Sequence, residues 1–414
     1  NAASQQVHIA TAMRPVLNGD SGNNVFTLYD LNGDSVVDGN DFTRIAGGGG
    51  SDTLKLGASG ANNAMLDLTS LAAGKVSSVR TIDVSGAGNN HVVLGAATLA
   101  NMGLGAGDTL TISGNVGDTF DLKGAGWTYT GTSGGFHHYA EGGRFLEVAD
   151  TLAREVRAGD GGESISSQIA TDILLGGAGA DTFNLADLTG NSIVSQADVG
   201  RVSGGGGLDV LSVEGNLTLD LTTFSGLTLQ GIETFRLNGA GGHVVINESV
   251  LDNLTPTLSG QAQVRIEGGA GNTFELVGAW IFTGKSGNWL DYTDTAGNHL
   301  YVADTLQRVY NEAQGGKFVV DDLSNDGLIS GSDFSAIYGH GTEVLTFGGS
   351  NEAIDLTGLV AGKISAIAGI DLTGHGANHL SMDDGALTAM GVSSLAINGD
   401  ADDSYELTGN WTWQ

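Results

Sequence analysis

A short strand-like pattern recurs along this chain at intervals of about 25 to 29 residues. In the first module it reads DTLKLG from Asp52, RTIDVSG from Arg80 and DTLTISG from Asp108, each starting 28 residues after the last. A second set, AMLDLTSL, HVVLGAATL and DTFDLKG, falls between these runs. Each run alternates apolar and polar residues beside glycine-rich turns, which is typical of short β-strands. The interval predicts stacked turns with two strands each.

The same order of runs occurs three times. FTLYDLNGDSVVDGNDF from Phe26, FNLADLTGNSIVSQADV from Phe183 and FVVDDLSNDGLISGSDF from Phe318 each begin one module. We therefore predict an all-β fold of three repeated modules, each a short β-solenoid-like stack, joined by Asp-rich loops. Antiparallel β-sandwich stacks remain the alternative, because periodicity gives the spacing of strands and not their direction.

The repeats also set the domain boundaries. Two aromatic segments, starting at Trp127 and Trp280, predict a hairpin or three-stranded meander that covers the open end of a stack. The predicted parts are an N-terminal segment with the first Asp-rich loop (1–46), β module 1 with its cap (47–157), a linker with the second loop (158–203), β module 2 with its cap (204–310), the third loop (311–342), and β module 3 with an incomplete cap (343–414).

Acidic residues dominate the charge of the chain. It has 47 Asp and Glu against 16 Lys and Arg, a formal net charge of −31. Self-repulsion on this scale destabilises a compact state unless cations neutralise it. Nucleic acids and anionic membranes require clustered Lys and Arg, so neither is expected as a partner, and no direct membrane insertion is expected. The chain has no cysteine, so a disulfide or thiolate metal site cannot stabilise the fold.

The segment DLNGDSVVDGND has the spacing of an EF-hand-type calcium loop. Alternate residues of such a loop supply hard oxygen ligands, and the residue at position 7 supplies its carbonyl. Positions 1, 3, 5, 7, 9 and 12 are Asp30, Asn32, Asp34, Val36, Asp38 and Asp41.

Two further segments repeat this frame. DLTGNSIVSQAD offers only two carboxylates and is expected to bind calcium most weakly, and its ligands would be Asp187, Thr189, Asn191, Ile193, Ser195 and Asp198. DLSNDGLISGSD offers Asp322, Ser324, Asp326, Leu328, Ser330 and Asp333. All three loops end in Asp, as the calcium loops of dockerins do, whereas EF-hands of the calmodulin type end in Glu. The alternative is an Asx-rich turn without metal.

A second motif, G-G-x-G-x-D-x-U-x, occurs from Gly47, Gly176 and Gly204. It resembles the nonapeptide of RTX (repeats-in-toxin) proteins, in which turn carbonyls and the Asp bind calcium between turns of a β-roll. Here each copy stands nearly alone, so glycine-rich turns without metal are an equal alternative. The recurring histidines His91, His243 and His379 are expected to be structural, since no nucleophile or paired carboxylate accompanies them.

The segments SSVRTIDVSGAGNNHVVL, QGIETFRLNGAGGHVVI and IAGIDLTGHGANHLSM resemble the repeats of large RTX-type adhesins and surface-layer-like proteins. The resemblance implies an extracellular, calcium-stiffened region on a Gram-negative cell surface, exported by type I secretion. We expect Ca²⁺ as cofactor and a secreted structural or adhesive role in a scaffold, layer or fibre, without enzymatic activity.

The expected partners are other copies of the chain, in a homopolymer or lattice, and cell-surface polysaccharide. Asn1 to Val16 could add a strand to the incomplete third module of a neighbouring copy. The alternative function is a carbohydrate-binding or polysaccharide-active β-solenoid module.

Overall fold

A computed structural model describes residues 13–57, 63–254, 263–311, 316–374 and 376–412. The chain forms a β-solenoid of about 13 turns, and about 5% of it is helical. It divides into two compact units. The first extends to Val156 and includes Thr171–Ile173, and the second comprises Arg157–Ala170 and the residues from Leu174 onward. Residues 1–12, which include most of the segment expected to add a strand to a neighbouring copy, lie outside the described residues.

Fifteen strands and one short helix are described up to Arg157. The helix is α1 (Thr98–Asn101), and the strands are β1 (Val16–Asn18), β2 (Val25–Leu28), β3 (Val36–Asp38), β4 (Arg44–Ala46), β5 (Asp52–Leu56), β6 (Met65–Asp67), β7 (Val76–Ser77), β8 (Val79–Asp83), β9 (His91–Gly95), β10 (Thr109–Ser113), β11 (Thr119–Lys123), β12 (Thr128–Ser133), β13 (Phe136–Glu141), β14 (Arg144–Ala149) and β15 (Ala153–Arg157).

The remaining described chain has two α-helices, α2 (Glu248–Leu254) and α3 (Ala386–Ala389), and two 3₁₀ turns, Gln196–Asp198 and Leu221–Thr223. None of the described helices has the length and apolar character needed to cross a membrane. The strands are β16 (Ser164–Ser166), β17 (Ile173–Leu175), β18 (Thr182–Leu185), β19 (Ile193–Val194), β20 (Arg201–Ser203), β21 (Val210–Glu214), β22 (Thr218–Asp220), β23 (Leu229–Gln230), β24 (Thr234–Asn238), β25 (His243–Asn247), β26 (Val264–Gly268), β27 (Thr273–Val277), β28 (Ile281–Ser286), β29 (Trp289–Thr293), β30 (His299–Ala303), β31 (Gln307–Tyr310), β32 (Lys317–Val320), β33 (Leu328–Ser330), β34 (Phe334–Tyr338), β35 (Val344–Phe347), β36 (Ala353–Asp355), β37 (Ile364–Ser365), β38 (Gly369–Asp371), β39 (His379–Asp383), β40 (Ala396–Asn398) and β41 (Ser404–Thr408).

Equivalent strands of successive turns pair in parallel. In the first unit β2, β5, β8 and β10 form one ladder, and β3, β6, β9 and β11 form another. The first ladder stacks Phe26 on Leu54 and Leu54 on Ile82, in steps of 28 residues. These side chains are buried, so the predicted alternation separates core from surface. Parallel pairing confirms the solenoid and excludes the antiparallel sandwich.

Early turns contain three strands and not the predicted two. The third ladder of the first unit consists of β1, β4 and β7. These strands have only two or three residues, and β4 and β7 each place a single fully buried apolar side chain, Ile45 and Val76, in the core. Such short runs show too little alternation to be recognised in a sequence.

The second unit repeats the arrangement. Phe183, Leu211, Phe235 and Ile266 stack in one parallel ladder and are fully buried. From Tyr310 onward one cluster of buried residues includes Phe318, Phe334 and Leu345.

Both aromatic segments form three-stranded meanders, as predicted. β14 joins the first ladder in parallel with β10, and β13 and β12 follow as antiparallel strands. β30, β29 and β28 repeat this beside β26. Tyr139 packs edge-on against Phe120 at 5.8 Å, and Tyr292 packs against Phe274 at 5.9 Å. The meander ends the ladder it joins, whereas the other ladder of the second unit continues from β27 through β31 to β34.

Candidate functional site

The three Asp-rich loops occupy equivalent places in the solenoid. Each begins two residues after the end of a strand, β2, β18 or β32, and β3, β19 and β33 lie within their second halves. Each loop therefore turns the chain from one ladder to the next, and the predicted position-7 residues Val36, Ile193 and Leu328 are the first residues of the strands that follow the turn.

The loops share one backbone conformation. Positions 4 and 6 have positive φ in all three: 80° and 74° at Gly33 and Ser35, 75° and 66° at Gly190 and Ser192, and 59° and 83° at Asn325 and Gly327. The left-handed region is strained for residues with a Cβ. Ser35 and Ser192 therefore hold the turn at position 6 where EF-hand loops use glycine.

The Asp at position 1 organises each turn. Asp30 accepts the N–H of Gly33 at 2.6 Å and of Ser35 at 2.9 Å. Asp187 accepts those of Gly190 and Ser192, and Asp322 those of Asn325 and Gly327. Desolvation raises the pKa of Asp30 and Asp187, but these N–H groups lower it more, so both pKa values lie below the usual value. The lowered pKa favours the charged form of these half-buried carboxylates.

Positions 3 and 5 place further oxygen atoms beside position 1. Ser324 donates its hydroxyl to Asp322 at 3.0 Å, Thr189 donates to Asp187 at 3.3 Å, and the Asn32 amide donates to Asp34 at 2.8 Å. The position-5 side chains accept the N–H of position 7 in each loop; these side chains are Asp34, Asn191 and Asp326. The position-9 side chains, Asp38, Ser195 and Ser330, each accept the N–H two residues later.

The Asp at position 12 is buried and connects the two halves of the loop by hydrogen bonds. Asp41, Asp198 and Asp333 are 2%, 0% and 2% exposed. Asp41 accepts the N–H of Leu31 at 2.7 Å, of Asn32 at 3.1 Å and of Asp38 at 2.9 Å. Asp198 and Asp333 accept the equivalent groups from both halves of their loops. Both oxygens of each position-12 carboxylate thus already accept hydrogen bonds.

The ligands fit a hard cation in their chemistry. The side chains at positions 1, 3, 5, 9 and 12 carry oxygen atoms, and the apolar residue at position 7 offers its backbone carbonyl. The position-1 carboxylates are half-buried and the side chains at positions 3 and 5 are exposed, so these residues would hold calcium first. Across the described ranges, no three His, Cys, Asp or Glu side chains converge closely enough to form a metal centre. Calcium binding at these loops stays a prediction.

The Asp residues of the glycine-rich nonapeptides are buried and accept a backbone N–H of the preceding turn; we call this hydrogen bond a bracket between turns. Asp52 accepts the N–H of Asn24, Asp209 that of Asp181, and Glu233 that of Asp209, at 2.6–2.8 Å. Burial raises the pKa of Asp209 to about 6, while the Asp181 N–H lowers it and the Asp181 carboxylate raises it. One oxygen each of Asp52 and Asp209 has no hydrogen-bond partner within the described residues. Asn90, Asn272 and Asn378 form similar brackets that were not predicted.

The recurring histidines lie on the solenoid surface beside a hydroxyl of the next turn. His91 and His243 contact Thr119 and Thr273 at 2.6 and 2.8 Å, and His379 contacts Ser404 at 2.8 Å. These contacts connect neighbouring turns.

Two buried arginines were not recognised in the sequence. Arg154 pairs with Phe120 in the ladder of core residues, and Arg308 stands between Phe274 and Phe334. Arg154 donates two hydrogen bonds to Asp172, at 2.9 and 2.6 Å. Arg308 lies 3.7 Å from Asp321 and 4.3 Å above the Tyr310 ring. The repeated segment ADTL, which is followed by one residue and then the arginine in both copies, is the signal that marks the position.

Comparison with known protein families, with curated proteins and with solved structures finds no match to this chain. The β-solenoid fold is compatible with the resemblance to RTX-like repeat proteins.

Proposed function

We propose that this chain is a secreted structural or adhesive protein that calcium stabilises, and that it contributes to an extracellular scaffold, layer or fibre. The observation that carries the proposal is the repetition of one oxygen-rich loop, with one backbone conformation, at three equivalent turns. A single Asp-rich loop would be an ordinary turn. Three equivalent loops in a chain with a net charge of −31 favour a common ligand that is a cation.

Calcium would act on the exposed half of each loop. It would neutralise the carboxylates at positions 1 and 5 of the first and third loops and the carboxylate at position 1 of the second loop, and it would hold the turn between two ladders in one conformation. A ligand that binds only the folded state stabilises it by about 2.7 kcal/mol at one hundred times its dissociation constant. Two or three such sites are comparable with the whole stability of a typical domain.

The resemblance to RTX-type surface proteins extends the proposal. It supports an extracellular location on a bacterial surface, type I secretion, and assembly with further copies of the chain. The proposal assigns no catalytic role to the histidines, because the same contact recurs at equivalent places of the repeat, as a structural contact between turns does.

Thermal unfolding with and without calcium tests the proposal. We expect millimolar calcium to raise the melting temperature of the dialysed protein, and Asp30→Asn together with Asp322→Asn to remove most of this increase. Asp160→Asn, which removes an exposed carboxylate outside the loops, is the matched control and leaves the increase intact.

Isothermal titration of the same proteins measures binding directly. The wild type is expected to bind calcium, with the loop at Asp187 the weakest site because it has two carboxylates. A melting temperature that calcium leaves unchanged, together with no heat of binding, would contradict the proposal.

A further inference from the structure

The outer face of the second meander carries an aromatic and polar surface whose side chains differ from those of the first meander. Trp289 on β29, His299 and Tyr301 on β30 and Arg265 on β26 point outward, since the residues between them are buried. The strand pairing shows which residues of the first meander are equivalent. Phe136 corresponds to Trp289, Phe145 to His299, Glu147 to Tyr301 and Thr111 to Arg265. The backbone is repeated, but its outward side chains differ.

The side chains of this surface contact one another across three strands. Asp291 lies 2.9 Å from the Nδ1 atom of His299, whose ring stacks on Tyr301 with a centroid separation of 6.0 Å and an interplanar angle of 14°. Gln263 donates to the Tyr301 hydroxyl at 3.3 Å. These contacts fix the positions of side chains that together donate and accept hydrogen bonds.

Arg265 connects the ring of Trp289 to this surface. Its guanidinium lies 5.2 Å from the centroid of the Trp289 ring and 3.5 Å from the Gln263 side-chain oxygen. Within the described residues Arg265 forms no ion pair, whereas the neighbouring Arg236 is paired with Glu267 at 2.9 Å. The exposed guanidinium of Arg265 is therefore able to pair with a carboxylate of a ligand.

We propose that this surface, formed by Trp289, Tyr301, Arg265, Asp291 and Gln263, binds a saccharide that carries a carboxylate, as in a uronic acid polysaccharide. The C–H face of a pyranose ring packs on the aromatic side chains, which combine apolar area with polar edges. The carboxylate pairs with Arg265, and the hydroxyl groups bond to Asp291 and Gln263. The proposal does not depend on calcium binding at the loops.

The surface suits a saccharide better than a protein partner. Protein interfaces bury about 800 Å² on each side around an apolar centre. Here the residues beside the two rings are Ala303, Thr293 and polar side chains, so the apolar area consists almost entirely of the rings. Fixed polar groups around two rings match a ligand whose hydroxyl groups need both donors and acceptors.

Affinity electrophoresis of the full chain tests the proposal with hyaluronan, which contains a uronic acid, and with dextran, which is neutral. We expect hyaluronan in the gel to slow the protein and dextran to leave its mobility unchanged. Trp289→Ala and Arg265→Gln should each weaken the apparent affinity about tenfold, which corresponds to one stacking or charge-assisted contact.

Phe136→Ala, at the equivalent place on the first meander, is the matched control and should behave as wild type. Circular dichroism melts of all variants establish that the fold is intact. No slowing by hyaluronan, equal slowing by dextran, or slowing that both Trp289→Ala and Arg265→Gln leave unchanged would overturn the proposal, and binding of protein partners alone would do the same.

Discussion

Arg154 occupies a ladder position that apolar side chains fill in the preceding turns. It stacks directly on Phe120, and its charge is balanced by Asp172, which is fully buried. A buried ion pair gains little over apolar packing, but removing one partner leaves an uncompensated charge. The stability of the first unit therefore depends on the ion pair between Arg154 and Asp172.

Asp172→Ala is expected to destabilise the first unit by about 3–5 kcal/mol, because Arg154 then loses its buried partner. Urea unfolding, followed by circular dichroism, measures the change. The double variant Arg154→Met, Asp172→Leu should recover most of the lost stability, since neither charge of this pair then remains buried. If the double variant were as unstable as the single one, the ion pair would not be the cause.

Sequence analysis could not find this pair. The segment LAREVR alternates like an exposed edge strand, and an arginine is expected to face solvent in it. Its burial depends on an Asp 18 residues later, and no local pattern connects the two residues. The position-1 carboxylates of the loops could be found, because their partners lie within five residues.

Glycine-rich turns determine how closely successive turns approach. A Cβ on Gly204 would lie 1.8 Å from the backbone oxygen of Gly231 and 2.3 Å from the Asp209 carboxylate. Backbone atoms of the next turn cannot move away without breaking the parallel ladder. Glycine is therefore required here by the stacking itself.

Gly204→Ala is expected to destabilise the second unit by about 1–3 kcal/mol, the usual effect of forced overpacking. Gly269→Ala is the matched control, because a Cβ at that position meets nothing within 4 Å. Thermal melts compare the two variants. Equal melting temperatures would contradict the close approach of the turns.

At the level of elements, the sequence predicted the longer strands and both meanders because each has its own alternation and turn residues. It did not predict the third ladder of β1, β4 and β7, whose strands are short and become visible only through pairing. Strand direction also needed the structure, since parallel and antiparallel stacks share one spacing.

Charge acts on the molecule as a whole. Burial raises the pKa of Glu233 as well as that of Asp209, whereas the N–H of His340 lowers the pKa of Glu343 to about 2. A carboxyl group whose pKa is higher in the folded state binds its proton more tightly there. Its contribution to stability is full below its unfolded pKa and is lost as pH rises through the folded value.

In calcium-free buffer, the free energy of unfolding of the second unit should therefore rise as pH falls from 7 to about 5, and fall again below about 4 as carboxylates with lowered pKa become protonated. Reduced self-repulsion acts in the same direction over the first interval. Urea unfolding at each pH measures the curve.

Asp209→Asn should flatten the rise between pH 7 and 5, whereas Asp252→Asn, an exposed carboxylate on α2, should retain it. A curve with the same slope in wild type and Asp209→Asn would show that Asp209 does not titrate in this range.

The brackets between turns give the solenoid a direction. The N–H groups of Asn24, Asp181, Asp209 and Gly242 are each satisfied by a side chain that follows 24 to 30 residues later. A turn with such a bracket is complete only when its successor has folded onto it. In a chain that is synthesised or exported N-terminus first, the last folded turn would then lack this hydrogen bond. Each new turn would supply it to the turn before.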